Sequence, residues 1–237
     1  MQFLVTAGNT QAPIDRVRCI TNVFTGRTGA AIAVRAHERG HTVTLHTSHP
    51  EAVAGPPPPA RWSLHRYRTF DDLRDLMARQ IPGGAFDVVI HCAAVSDYLA
   101  AGVFGTEPGT VSDPDTNRWT VRTTPALTAG KVKSDAPELW LRLVRAPKLV
   151  DMVRGDWAFR GVLVKFKLEV DCDDDRLLAV AERSRGQSGA DLMVANTLDG
   201  VAAWALLGPI DGRFHRVPRR ELADRLLDAI DAVRRGS

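Results

Sequence analysis

FLVTAGNTQAPIDRVRCITNVFTGRTG, residues 3 to 29, decides the fold class. Phe3-Leu4-Val5 is a short apolar run that stops at Ala7-Gly8, as a strand of a parallel sheet does. Thr25-Gly26-Arg27-Thr28-Gly29, followed by Ala30-Ala31-Ile32-Ala33-Val34, is a glycine-punctuated entry into a helix. The free N–H groups of a helix start attract a phosphate, and small residues let the backbone approach it. Between strand and helix runs an unusual polar turn, Asn9 to Asn22. The chain therefore opens as an α/β protein that handles a nucleotide or a phosphate.

Outward from this stretch, strands and helices alternate. The first helix is expected over about Arg27–Arg39, ending at Gly40, and the next strand over Thr42–Leu45. Four consecutive prolines make Glu51–Ala60 a surface loop. Trp62–Arg66 reads as a short strand, Phe70–Arg79 as a helix with Asp71 and Asp72 in its first turn, and Phe86–Cys92 as the clearest central strand. Leu99–Gly130 breaks the pattern: it is rich in Gly, Pro, Thr and Asp and reads as an extended loop or arm. Regularity returns with strands at Leu139–Arg145, Gly161–Phe166 and Ala190–Ala195, helices at Pro147–Val153 and Asp173–Arg185, late strands at Ala202–Leu207 and Arg213–Arg216, and an amphipathic helix at Arg219–Arg234. The expected fold is one Rossmann-like domain over residues 1–237: a parallel-rich sheet with helices on both faces.

Composition narrows the class. With 44% apolar and 25% charged residues, the 237-residue chain has an ordinary globular balance. No apolar run approaches the roughly 18 residues of a membrane helix, and the opening carries no charged-then-apolar leader, so no membrane and a cytoplasmic location are expected. A net charge of +3 suits anionic small molecules, and the absence of a Lys/Arg run with interleaved aromatics argues against nucleic acid. Cys19, Cys92 and Cys172 are far apart and unpatterned, and the seven histidines show no metal-ligand spacing; His37 and His41 read as surface residues. The metal ligands are left unassigned.

Several residues could carry chemistry. Strand one ends Gly8-Asn9-Thr10 with a single glycine, and strand two ends His46-Thr47-Ser48 without a carboxylate, which disfavours a dinucleotide oxidoreductase. No GxxxxGK(S/T) loop is present. Asn22 can donate and accept just before the helix, although asparagine there is more often a turn or cap residue. Ala93-Ala94-Val95-Ser96-Asp97 follows the best strand, where parallel sheets build sites, and Asp97 suits a ribose, a base or a metal, or equally a helix-starting turn. Lys131 and Lys133 share one side of an extended chain and could offset phosphate charge, or lie on a solvated edge. Phe166 suits stacking on a base or a place in the core, and Asn196 ends a late strand.

These residues also carry a resemblance. TAGNTQAPIDRVRCITN followed by TGRTG is similar to the opening of the phosphopantothenate–cysteine ligase family, roughly TAGGTxxP(I/L)DxVRxI(S/T)N and then SSGKMG. AAVSDY, KVKS, KFKLE and DLMVAN resemble later blocks of that family, leaving 51–85 and 99–130 unmatched. The departures are Asn9 for glycine or proline, Thr25 for serine, Arg27-Thr28 for Lys-Met, and Val170 for threonine. The resemblance implies a ligase of coenzyme A biosynthesis that joins cysteine to 4′-phosphopantothenate through an acyl-nucleotide. ATP or CTP would be the nucleotide, with Mg²⁺, and KFKLE leans toward the ATP-preferring branch. Asn22 and Lys131 would be the catalytic residues, with Gly8, Thr10, Gly26, Arg27, Gly29, Ala93, Ala94, Asp97, Lys133, Phe166 and Asn196 binding nucleotide or substrate. A homodimer is implied and flavin is not expected. The rival readings are a non-catalytic nucleotide-binding relative and a Rossmann-type NAD(P) reductase.

Overall fold

The apolar run that opens the chain becomes β1 (Gln2–Ala7), whose side chains alternate between two buried faces. The computed structural model describes residues 1–55, 60–105, 111–113, 115–116, 118–120 and 138–236. The expected polar turn holds a hairpin of its own, β2 (Gln11–Pro13) and β3 (Cys19–Thr21), in antiparallel register. Then come α1 (Arg27–Glu38), β4 (Thr42–Thr47), a 3₁₀ turn at Pro50–Ala52, β5 (Trp62–Arg66), α2 (Phe70–Gln80) and β6 (Val88–His91). Thr69 and Asp72 form a reciprocal capping box at the start of α2, which fixes where that helix begins.

The stretch expected to be irregular holds strands. β7 (Tyr98–Gly105) pairs antiparallel with β10 (Leu139–Arg145), and β8 (Val111–Asp113) with β9 (Arg118–Thr120). The order concealed in Leu99-Ala100-Ala101-Gly102-Val103 has a physical reason. A two-stranded ribbon outside the main sheet buries no continuous face, so its sequence need not alternate. The chain continues through α3 (Leu149–Arg154), β11 (Val162–Glu169), α4 (Asp174–Ser188), β12 (Leu192–Thr197), β13 (Trp204–Ile210) and β14 (Arg213–Pro218). A 3₁₀ turn at Arg219–Glu221 leads into α5 (Leu222–Gly236).

Eight strands form one sheet in the order β14-β13-β12-β11-β6-β1-β4-β5. From β12 to β5 the neighbours run parallel, and β13 and β14 add an antiparallel edge. Phe3, Val5, Val43, Ile90, Val164 and Val194 face α1 and α5 in one core. Leu4, Val89 and Leu163 face α2 and α3 in another, and Met193 and Ala195 face α4. The expected helices on both faces are present. His37 and His41 are half-buried rather than surface residues: the His41 ring lies 4.8 Å from that of Phe3, and His37 meets Trp62 edge-on at 5.8 Å.

Candidate functional site

From β1 the chain builds outward through β4 to β5, then returns to place β6 on the other side of β1. The crossover directions diverge between β1 and β6, and the crevice above such a switch point is where open α/β sheets bind ligands. The loops after these two strands are stitched together here. Ala94 N–H donates to the Gly8 carbonyl at 2.8 Å, and Thr10 N–H to the Ala94 carbonyl at 3.3 Å.

Glycines bring α1 to the same point. Gly26, at φ +75°, lies so close to the end of β1 that an added Cβ would sit 2.3 Å from Gly8 N. A Cβ on Gly29 would meet that of Ala7 at 2.7 Å. The N-terminus of α1 is thus pressed against the carboxyl end of β1. No side chain caps it and no acidic residue lies in its first turn, so the partial positive charge of the helix start faces the crevice.

Asn22 sits above the loops. Its side-chain amide donates to the Ala94 carbonyl at 3.0 Å, while Asn9 Nδ2 donates to the Asn22 carbonyl at 2.5 Å. Asn9 also takes a hydrogen bond from Ser48 Oγ at 3.2 Å and donates its own N–H to that oxygen at 2.9 Å. The departure at position 9 therefore has a structural use: its carboxamide, 7% exposed, holds Asn22 against the end of β4. Thr10 is fully buried; its hydroxyl accepts from Ser96 N–H at 2.8 Å and fixes the loop that carries Asp97.

A cleft of about 580 Å³ opens beside these loops. Gly8, Gly26, Arg27, Ala93, Ala94, Phe166 and Asn196, all expected from sequence as binding residues, line it together. Phe166 packs on the core and also lines the cleft. Gly29 lies buried beneath it. Asp97 is exposed just ahead of β7, and its carboxylate has no side-chain partner among the described residues. Lys131 and Lys133 lie outside the described residues. Among the described residues no three His, Cys, Asp or Glu side chains gather to hold a metal. The described residues that line the cleft include no carboxylate, and Asp97 is not among them. A larger hollow of about 1170 Å³ lies beyond the hairpin, over the ends of β4 and β5, with Arg66, Arg68 and His49 on its walls.

Sequence reading missed Phe24, Thr28, Cys92, Lys167 and Arg219, which also line the cleft. Thr28 and Cys92 adjoin motifs that were recognised, so adjacency could have found them. Arg219 enters from the opposite end of the chain to meet the Thr28 hydroxyl, and no local pattern announces it. Burial pushes the Cys92 thiol up to about 12, so it lies neutral in the cleft wall.

Comparison with known proteins agrees with this geometry. Residues 1–106 match the family described as DNA/pantothenate metabolism flavoprotein C-terminal domain. The coenzyme A biosynthesis bifunctional protein CoaBC of Thermococcus kodakarensis is 32% identical over 98% of this chain and 51% of its own length. The CoaBC of Mycobacterium bovis is 26% identical over 97% and 51%. The chain spans about half the length of these curated relatives. The crystal structure of the DNA/pantothenate metabolism flavoprotein from Streptococcus pneumoniae superposes with a TM-score of 0.80 at 29% identity, covering 98% of this chain and 99% of that one. The opening residues match the model of the DNA/pantothenate metabolism flavoprotein C-terminal domain, and the whole fold is similar to that of the Streptococcus pneumoniae protein.

Proposed function

We propose that this chain is a ligase of coenzyme A biosynthesis that joins cysteine to 4′-phosphopantothenate through an acyl-nucleotide. The observation that carries the reading is the convergence of an uncapped helix start, the Asn22–Ala94 contact, Phe166 and Asn196 on one nucleotide-sized cleft at the switch point. The bifunctional coenzyme A biosynthesis relatives named above support it.

In the first half-reaction a carboxylate oxygen of 4′-phosphopantothenate attacks the α-phosphorus of ATP or CTP, and pyrophosphate leaves. In the second, the cysteine amine attacks the acyl carbon, the nucleoside monophosphate leaves, and the amine gives up a proton. Two anions must meet in the first step, so cations carry most of the work. The start of α1 and Arg27 offset the phosphate charge, and magnesium bound with the triphosphate would supply further positive charge there. Lys131 and Lys133 are assigned to the same task. Asn22 orients the acyl-nucleotide, with Ala93, Ala94 and Asp97 lining the acid's side. Phe166 stacks on the base and Asn196 donates to the nucleotide. We further propose a cytoplasmic homodimer.

The test is pyrophosphate release by the purified chain with Mg²⁺, comparing ATP with CTP, with and without 4′-phosphopantothenate and cysteine. Release that requires 4′-phosphopantothenate is expected, and its preferred nucleotide names the base. Folded protein that releases none with either nucleotide would sink the ligase reading.

A further inference from the structure

Arg219 is held in the cleft by two different parts of the fold. Its backbone N–H donates to the Ala203 carbonyl at 2.8 Å, and it opens the 3₁₀ turn that leads from β14 into α5. Its guanidinium reaches the Thr28 hydroxyl in the first turn of α1. The side chain is partly buried, and burial lowers its pKa, yet a guanidinium keeps its charge. The ionisable neighbour at its side is Cys92, which burial keeps neutral. No carboxylate pairs with Arg219 among the described residues, whereas Lys167 in the same cleft has Glu169 at 2.8 Å.

A second, independent group points into the same space. Asn196 is 7% exposed, lines the cleft and makes no side-chain hydrogen bond among the described residues. A cation drawn partly out of water with no counter-charge costs free energy, and that cost is offset when a ligand brings negative charge. The Asn196 amide, unpaired among the described residues at the cleft wall, is free to donate to the same ligand's oxygens.

We propose that Arg219 grips the phosphate chain of a nucleoside triphosphate seated on the start of α1, with Thr28 steadying the guanidinium and Asn196 donating from the facing wall. This rests on the nucleotide half of the reading above. It assigns a phosphate contact to the end of the chain, well outside the residues that match the family description. It also gives a use to one departure from the family pattern: Thr28 offers Arg219 a hydroxyl, which the methionine of that pattern cannot. The planar fork spans two phosphate oxygens, so its grip strengthens as charge builds on the departing pyrophosphate.

The measurement is calorimetric binding of ATP and CTP with Mg²⁺, of their monophosphates, and of inorganic tripolyphosphate. The chains are the wild type, Arg219→Gln, Arg219→Lys and Thr28→Val. Arg219→Gln is expected to weaken both triphosphates and tripolyphosphate about 10- to 100-fold, the range of a lost charge-assisted hydrogen bond, and to leave the monophosphates nearly unchanged. Arg219→Lys should recover part of the loss, and Thr28→Val should show a smaller loss with the same preference for the longer phosphate chain. Equal weakening of mono- and triphosphates, unchanged triphosphate binding, or no triphosphate binding by the wild type overturns the assignment. Binding that follows the expected pattern without pyrophosphate release would overturn the ligase reading and leave Arg219 in place. Release at an unchanged nucleotide KM in Arg219→Gln would do the reverse.

Discussion

A single methyl group at Gly26 would land 2.3 Å from Gly8 N, on backbone that cannot step aside without moving the end of β1. Gly26 also holds φ at +75°, where an L side chain costs roughly 1–2 kcal/mol. Gly26→Ala is therefore expected to lower the unfolding free energy by at least that much and to weaken nucleotide binding, since α1 must retreat from the cleft. Urea unfolding alongside nucleotide titration checks both, and a variant with wild-type values in each would refute the close-approach account. Asn22→Ala should behave differently. Its side chain contributes one hydrogen bond, to the Ala94 carbonyl, which is worth about 1 kcal/mol to the fold. Removing the amide should leave stability within about that margin and cut turnover on the order of a hundredfold, the usual effect of losing one preorganised donor. Turnover reduced no more than stability explains would reduce Asn22 to a turn residue. At this scale the sequence was legible wherever a residue's task is local. Gly26, Ala93 and Ala94 announce themselves through their neighbours, whereas Arg219 meets Thr28 only because β14 ends beside α1.

Among the elements, one row of the sheet stands out. His46 on β4, Thr6 on β1, His91 on β6 and Lys165 on β11 are register neighbours on adjacent parallel strands, all buried. Thr6 Oγ1 and His91 Nδ1 lie 3.1 Å apart, and Lys165 Nζ donates to the Ser184 carbonyl at 2.9 Å and to Ser188 Oγ at 2.5 Å. Lys165 thus anchors the last turn of α4, where a cation is favoured, and its place in KFKLE is structural. The histidines make this row sensitive to acid. Burial lowers His46 and His91 to about 4 from the ordinary 6.5, so the unfolded chain binds protons first as pH falls. Their contribution is intact above about pH 6.5 and is lost as pH drops toward 4; at pH 5 each has given up on the order of 2 kcal/mol. Urea midpoints should fall between pH 7 and pH 5, and His46→Gln, which cannot titrate, should show a shallower fall. An identical slope in that variant would remove His46 from the explanation. Strand and helix identities in this sheet were readable because both faces are buried and the runs are apolar. The limits of β11 and β12 were not, since Lys167, Glu169, Asn196 and Thr197 are polar residues at strand ends.

For the whole molecule, the ribbon of β7 and β10 is the surface through which the proposed homodimer would form. Tyr98, Leu139, Leu143 and Val144 are exposed by 51%, 37%, 43% and 37%, and all four lie on this ribbon. A two-stranded ribbon is marginal by itself, and an apolar surface on it marks an interaction site. The interrupted pattern of Leu99–Val103 fits a ribbon that buries no continuous face, and so follows neither the helical nor the strand period of a buried core. The homodimer proposed above would cover this surface, pairing the ribbon with its equivalent on another copy. Leu143→Glu with Val144→Glu places charge on both faces of the ribbon without touching either sheet core. Sedimentation at working concentration should show a dimer for the wild type and a monomer for the double variant, with α/β circular dichroism unchanged. Because Lys131 and Lys133 sit in the sequence between Gly105 and Leu139, the monomer should also lose 4′-phosphopantothenate-dependent pyrophosphate release while still binding nucleotide in the cleft beside α1. A wild type that stays monomeric, or a double variant that dimerises with full turnover, would leave the ribbon without this role.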